Sequence, residues 1–179
     1  MPGAWEAERE FSFREGIMER RERDLFGMLE PAVAEQGVEL VEVSLSGAGR
    51  RSILRIVIHS AAGISHGDCE RVTHAVEEKL EDEPPVSGTY VLEVSSPGVA
   101  RTLKSPREFD VFRGCRLRVR VREPEPEEMR GFSAGTREGQ LVAIRSDDGR
   151  ERVLAWSSIA KVRLDPDGPP SAGFGGKGS

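Results

Sequence analysis

The chain has 179 residues, of which 37% are apolar, 32% charged and 6% aromatic, and it carries a net charge of −5. No stretch approaches the roughly 18 apolar residues of a membrane span, and no apolar core of a secretory signal follows the Glu- and Arg-rich start. Cys69 and Cys115 are too few and too far apart for a disulfide framework or a thiolate metal site. A cytoplasmic protein without membrane contact is expected.

Charge is unevenly spread. Residues 25–103 hold 12 acids and 6 bases, whereas residues 104–168 hold 12 acids and 14 bases. Such a change of sign suggests two modules facing different partners.

Residues 1–17 are rich in Glu and Arg, with few large apolar groups, and suggest a disordered extension. Helical spacing begins near Met18. Leu25, Met28, Leu29, Ala32 and Val33 form one face, Pro31 implies a kink or a tightened turn, and Gly37 ends the helix at the position that favours a left-handed residue. Val38–Leu45 reads as a strand with Val41, Val43 and Leu45 on one face. Gly47–Arg51 makes a turn and Ile53–His59 a second strand. Ser65-His66-Gly67-Asp68 is a capping box that opens a helix with Cys69, Val72, Val76 and Leu80 as its buried stripe. Tyr90–Val94 is a third strand. The order α-β-β-α-β over residues 18–97 predicts a two-layer domain.

Residues 98–108 read as a connector that ends in a second capping signature, Ser105-Pro106-Arg107-Glu108. A short helical turn carrying Phe109 and Phe112 follows, stopped by Gly114. Strands are expected at Arg116–Val121, Gly139–Ile144, Arg150–Trp156 and Lys161–Leu164. Asp148-Gly149 marks a tight hairpin, Ser157–Ile159 a single helical turn, and Trp156 the closing of the core. Glu123–Thr136 reads as a long acidic insertion between strands. Short strands over residues 109–164 are expected to curl into a small barrel that hides its edges. Residues 165–179, rich in Gly and Pro, suggest a disordered tail. The fold class is therefore α+β.

Little points to catalysis. His66 and His74 lie eight apart, which is no metal spacing, and they read as solvated surface groups. Cys69 is explained by packing. Pro97 after Ser96 removes the N–H that a nucleophile elbow would use as its oxyanion donor. No phosphate-loop motif occurs. No enzyme activity, cofactor, metal or small-molecule substrate is expected.

The informative charges are Arg116, Arg118, Arg120 and Arg122. On a strand they share one face, with Leu117, Val119 and Val121 on the other. Same-face neighbours lie roughly 6.5–7 Å apart, inside a Debye length of roughly 10 Å, so the row repels itself. Two explanations are open. Solvent and Glu123, Glu125, Glu127 and Glu128 could offset the charge, which is the ordinary state of an outward strand face. Alternatively an anionic partner such as RNA backbone could do so, with Arg101, Lys104 and Arg107 adding to the positive region.

Tyr90–Gly98 (Tyr-Val-Leu-Glu-Val-Ser-Ser-Pro-Gly), followed by Arg101, Leu103, Lys104 and the Arg107–Phe109 stretch, resembles the signature of the bacterial ribosome maturation factor RimP family. Gly63-Ile64-Ser65 with Asp68-Cys69-Glu70, and Leu29-Glu30-Pro31, resemble the same family. The resemblance implies an α/β N-terminal domain followed by an SH3-like or Sm-like barrel. It implies a non-enzymatic role in maturing the small (30S) ribosomal subunit, with the free subunit, its decoding-region ribosomal protein and its rRNA as partners of a monomeric protein. Ser95, Ser96, Pro97 and Gly98 are then expected to fix domain orientation, Pro97 by stiffening the chain and Gly98 by permitting an unusual backbone angle. Arg101, Lys104, Arg107, Arg116, Arg118, Arg120 and Arg122 are the expected ribosome or rRNA contacts. The alternative is a protein-interaction adaptor whose barrel grips a peptide, although the aromatic groove this requires is poorly supplied.

Overall fold

The computed structural model describes residues 4–47, 51–122, 124–138 and 140–165, with side chains from residue 17 onward. The chain divides into two compact units, Met1–Ser96 and Pro97–Ser179.

The first unit starts with helix α1, Ala4–Glu35. Its beginning differs from the expected disorder. Backbone helix runs from Ala4, as suits a segment of Ala, Glu and Arg, which are strong helix formers. The helix also runs on through Pro31. Leu25, Leu29, Ala32 and Val33 are buried on the expected face, and Gly37 takes a φ of 78° just past the end.

Strand β1 (Glu39–Ser46) pairs antiparallel with β2 (Ser52–His59), and β2 pairs in parallel with β3 (Tyr90–Ser95), giving the order β1-β2-β3. The tip of the β1–β2 turn, residues 48–50, lies outside the described residues. Parallel pairing needs a crossover, which helix α2 (His66–Asp82) supplies. The capping box forms as expected. Asp68 N–H donates to Ser65 Oγ at 3.2 Å, and Ser65 N–H donates to the Asp68 carboxylate at 2.7 Å.

Both helices cover one face of the sheet. Leu29 and Val33 pack with Leu54, Ile56, Ile58, Val72 and Val76 in a single core, and Cys69 lies half-buried at its margin. Full burial of each large aliphatic side chain contributes about 1.5–3 kcal/mol. One register differs from expectation. A bulge between Leu40 and Glu42 puts Leu40, with Val43 and Leu45, into the core cluster, while Val41 is buried outside that cluster. The extra residue flips the alternation once.

The second unit carries a one-turn helix α3 (Glu108–Val111) and strands β4 (Arg116–Val121), β5 (Glu127–Arg137), β6 (Leu141–Arg145), β7 (Glu151–Ala155) and β8 (Ile159–Leu164). The strands pair in the order β7-β6-β5-β4-β8. Strand β5 falls where an acidic insertion was expected; its buried residues are Gly131, Ser133, Ala134 and Gly135, too small to leave an apolar signature. Ser133 Oγ donates to the Phe109 carbonyl at 2.6 Å, tying β5 to α3. Phe109 and Phe112 are fully buried. Trp156, half-buried in a 3-10 turn, meets the Phe109 ring edge-on at 6.1 Å between centroids.

Between β6 and β7, Ser146 N–H donates to the Arg150 carbonyl at 2.9 Å, and Gly149 takes a φ of 83°. This is a three-residue hairpin loop with its left-handed residue in the usual place.

No ladder joins β7 to β8 among the described residues, so a five-stranded sheet stands where a closed barrel was expected. Closure is not needed to hide β8. Leu103 N–H donates to the Val162 carbonyl at 3.0 Å, and Leu164 N–H donates to the Arg101 carbonyl at 2.9 Å. Residues 101–103 thus cover that edge, and the expected connector is part of the second unit.

Candidate functional site

The alternation Arg-Leu-Arg-Val-Arg-Val of β4 buries Leu117, Val119 and Val121 and turns Arg116, Arg118 and Arg120 outward. Registry with β5 and β8 then sets what stands beside each arginine. Arg116 is opposite Phe132, Arg118 lies between Arg130 and Arg163, and Arg120 lies between Glu128 and Lys161. Directly paired residues share a sheet face, so the three strands present a cationic lattice. Arg118, Arg120, Glu128, Lys161 and Arg163 line a cleft of about 290 Å³ on it.

The arginines are not equivalent. Arg116 makes a bidentate pair with Asp147, at 2.9 and 3.0 Å, and its guanidinium sits 5.3 Å from the Phe132 ring centroid. Arg122 follows β4 and donates to the Ile159 carbonyl at 3.0 Å. These two are engaged within the unit.

Arg118 and Arg130 share the carboxylate of Asp165, at 3.5 and 3.7 Å, and Arg120 is 3.5 Å from Glu128. Asp165 belongs to this site and not to a disordered tail. Its side chain is 2% exposed, and its N–H donates to the Arg116 carbonyl at 2.9 Å. Residues 166–179 lie outside the described residues. Lys161 and Arg163 are exposed and make no ion pair among the described residues.

Carboxylates folding back from the next segment therefore answer part of the charge. Glu127 reaches Arg152 at 2.6 Å, Glu128 reaches Arg120, and Glu123 lies outside the described residues. Arg130, Lys161 and Arg163 are the members of the face that sequence reasoning missed. Lys161 and Arg163 were visible as alternate residues of an expected strand; Arg130 was not, because its strand was not expected.

The connector residues separate too. The Arg101 Nε–H donates to Glu108 Oε2 at 2.9 Å, with the two side chains only 11% and 5% exposed. Glu108 also accepts from the Lys104 N–H at 3.0 Å. Glu108 therefore anchors the connector, not a capping box on Ser105, and the Arg101 side chain is engaged within the unit. Lys104 and Arg107 are exposed.

Ser95 ends β3, and the unit boundary falls between Ser96 and Pro97. Gly98 does not take a positive φ, and a Cβ there would meet nothing within 4 Å. The expected unusual backbone angle is absent.

Burial pushes the Cys115 thiol up, away from thiolate. Burial lowers the His59 pKa. His66 and His74 are largely exposed beside Glu70 and Glu77. Among the described residues no group of three or more His, Cys, Asp or Glu could hold a metal ion, and no helix is long and apolar enough to cross a membrane.

Residues 28–100 match the RimP N-terminal domain family. The N-terminal unit belongs to the RimP family. The match covers the last two turns of α1, the whole β1-β2-β3 sheet, α2 and the segment through Ala100. The RimP family is one of ribosome maturation factors.

Proposed function

We propose that this chain is a non-enzymatic, cytoplasmic assembly factor for the small ribosomal subunit. It binds the free subunit and its decoding-region ribosomal protein and assists folding of the rRNA there. The RimP N-terminal domain over residues 28–100 carries this reading. The strand-rich second unit is taken as the SH3-like module of that family, with five strands in support. Such a factor works by differential binding: contacts made to an immature particle and lost on maturation shift its population without any bond being made or broken. Pro97, with its fixed φ, is the residue proposed to direct the chain from one unit into the next. Of the expected contacts, Arg118, Arg120, Lys104 and Arg107 remain as proposed rRNA contacts.

The peptide-gripping adaptor draws no support from the described residues, among which the exposed large apolar side chains are Ile17, Val91, Val99 and Val153, with no aromatic among them. Sedimentation of cell extract on a sucrose gradient tests the proposal. Co-migration with free small subunits and absence from translating ribosomes are expected. Absence from free small subunits, with normal subunit maturation in cells lacking the protein, would refute it.

A further inference from the structure

The row Arg130–Arg118–Arg163 places three like charges directly opposite one another across β5, β4 and β8. Such pairing opposes folding. A sheet face with no task could meet the need for outward polarity with mixed charges. Here Asp165, buried beneath the row, answers Arg118 and Arg130, and Glu128 answers Arg120. Five cations thus face two carboxylates, and the excess sits on the β8 side, at Lys161 and Arg163.

We infer that this β5-β4-β8 face docks the phosphate backbone of folded RNA without regard to base sequence. The inference rests on the ribosome-assembly reading and adds to it the surface and the chemical group that the surface meets.

Spacing favours a repeating anion. Neighbouring strands lie about 4.8 Å apart and same-face residues about 6.5–7 Å apart, so the cations form a grid whose fields add within one Debye length. A guanidinium fork donates to two oxygens of one phosphate, and the Asp165 carboxylate lies 3.5 and 3.7 Å from two of these guanidinium groups.

Surface chemistry disfavours an acidic protein. Protein interfaces draw affinity from a few desolvated aromatic or apolar anchors. None of the exposed large apolar residues belongs to β4, β5 or β8, and Phe132 is only half-exposed next to the Arg116 guanidinium. Among the described residues no large aromatic is exposed on this face, so it offers no platform for base stacking. What is left is contact with phosphate, which positions a partner and carries no sequence information.

The test uses the full chain and an arbitrary RNA duplex of roughly 20 base pairs, longer than a small RNA-binding domain spans, with binding read by fluorescence anisotropy. Five phosphate contacts would lower affinity about 500-fold between 50 and 200 mM salt, and three contacts about 40-fold. The double variant Lys161→Ala/Arg163→Ala is expected to show the shallower dependence. The charge-conserving Lys161→Arg/Arg163→Lys should restore the steep one. Arg23→Ala/Lys79→Ala, an equal loss of charge from exposed positions in the other unit, should leave the dependence as it was.

An unaltered salt dependence in the alanine double variant, with its unfolding midpoint unchanged, would overturn the inference. So would tighter binding of poly-glutamate than of the duplex. Either result alongside wild-type protein that still co-sediments with small subunits leaves the assembly reading standing and removes only this surface. Wild-type protein that fails to co-sediment removes the assembly reading itself.

Discussion

Glu108→Ala should strongly destabilise the second unit. Its carboxylate accepts from Arg101 Nε at 2.9 Å and from the Lys104 N–H at 3.0 Å, and both partners of the ion pair are nearly out of solvent. Hydrogen bonds to a charged group are worth about 1.5–3 kcal/mol each. Removing one partner of a buried pair costs about 3–5 kcal/mol in all, because the other charge is left uncompensated. With a denaturant slope of about 1 kcal/mol per molar urea for a small unit, the midpoint should fall by about 3–5 M.

The assay is urea unfolding in a Trp5→Phe background. Trp156 is then the sole tryptophan, and it reports on packing against Phe109. Arg101→Met/Glu108→Leu removes both charges and should recover most of the loss, since a well-packed apolar pair can replace a buried ion pair. A loss below about 1 kcal/mol in Glu108→Ala would mean that the pair behaves as an exposed one, and the reasoning would fail. It would also fail if the double variant were no more stable than the single.

Two glycines should respond in opposite ways. Gly131→Ala places a methyl group 2.6 Å from the Arg145 carbonyl and 2.7 Å from Ile144 Cγ2, so β5 and β6 must separate, and a lowered midpoint in the same urea assay is expected. Gly98→Ala meets open space at an ordinary φ and should be neutral or add about 0.4–1 kcal/mol by restricting the unfolded chain. In the first unit, Ser65→Ala should cost about 0.5–2 kcal/mol as a lost helix cap, read by thermal melting followed by circular dichroism. Hydrogen bonds from Ser65 hold the Asp68 carboxyl below its ordinary 3.8. Its stabilisation is therefore full above that value and disappears as pH falls through the lower folded one, a loss that Ser65→Ala should diminish.

The α-β-β-α-β unit was readable because its signals are local and redundant. Leu25, Leu29 and Val33 repeat at helical spacing, Ser65 and Asp68 form a cap within one turn, and Ile56 and Ile58 belong to a β-branched run. The bulge after Leu40 was not readable, since Val41 and Leu40 are both apolar and either alternation fits the sequence. Strand β5 was hidden for a different reason. Gly131, Ser133, Ala134 and Gly135 pack by smallness against neighbouring backbone and side chains, a tertiary effect with no periodic trace in the residues themselves. At the candidate site the β4 arginines were legible from alternation alone. That Arg101 turns inward while Lys161 and Arg163 stay exposed depends on Glu108 and on cross-strand registry, both of which link positions distant in sequence.

The strap formed by residues 101–103 governs where this protein can be cut. A fragment beginning at Pro97 keeps β8 sheathed, whereas one beginning at Phe109 strips it to a bare row of carbonyl and amide groups and removes the whole Arg101–Glu108 pair at the same stroke. Bare strands of this kind recruit one another. A shortened version would therefore gel or polymerise, and a binding assay on it would read out that association and not the arginines.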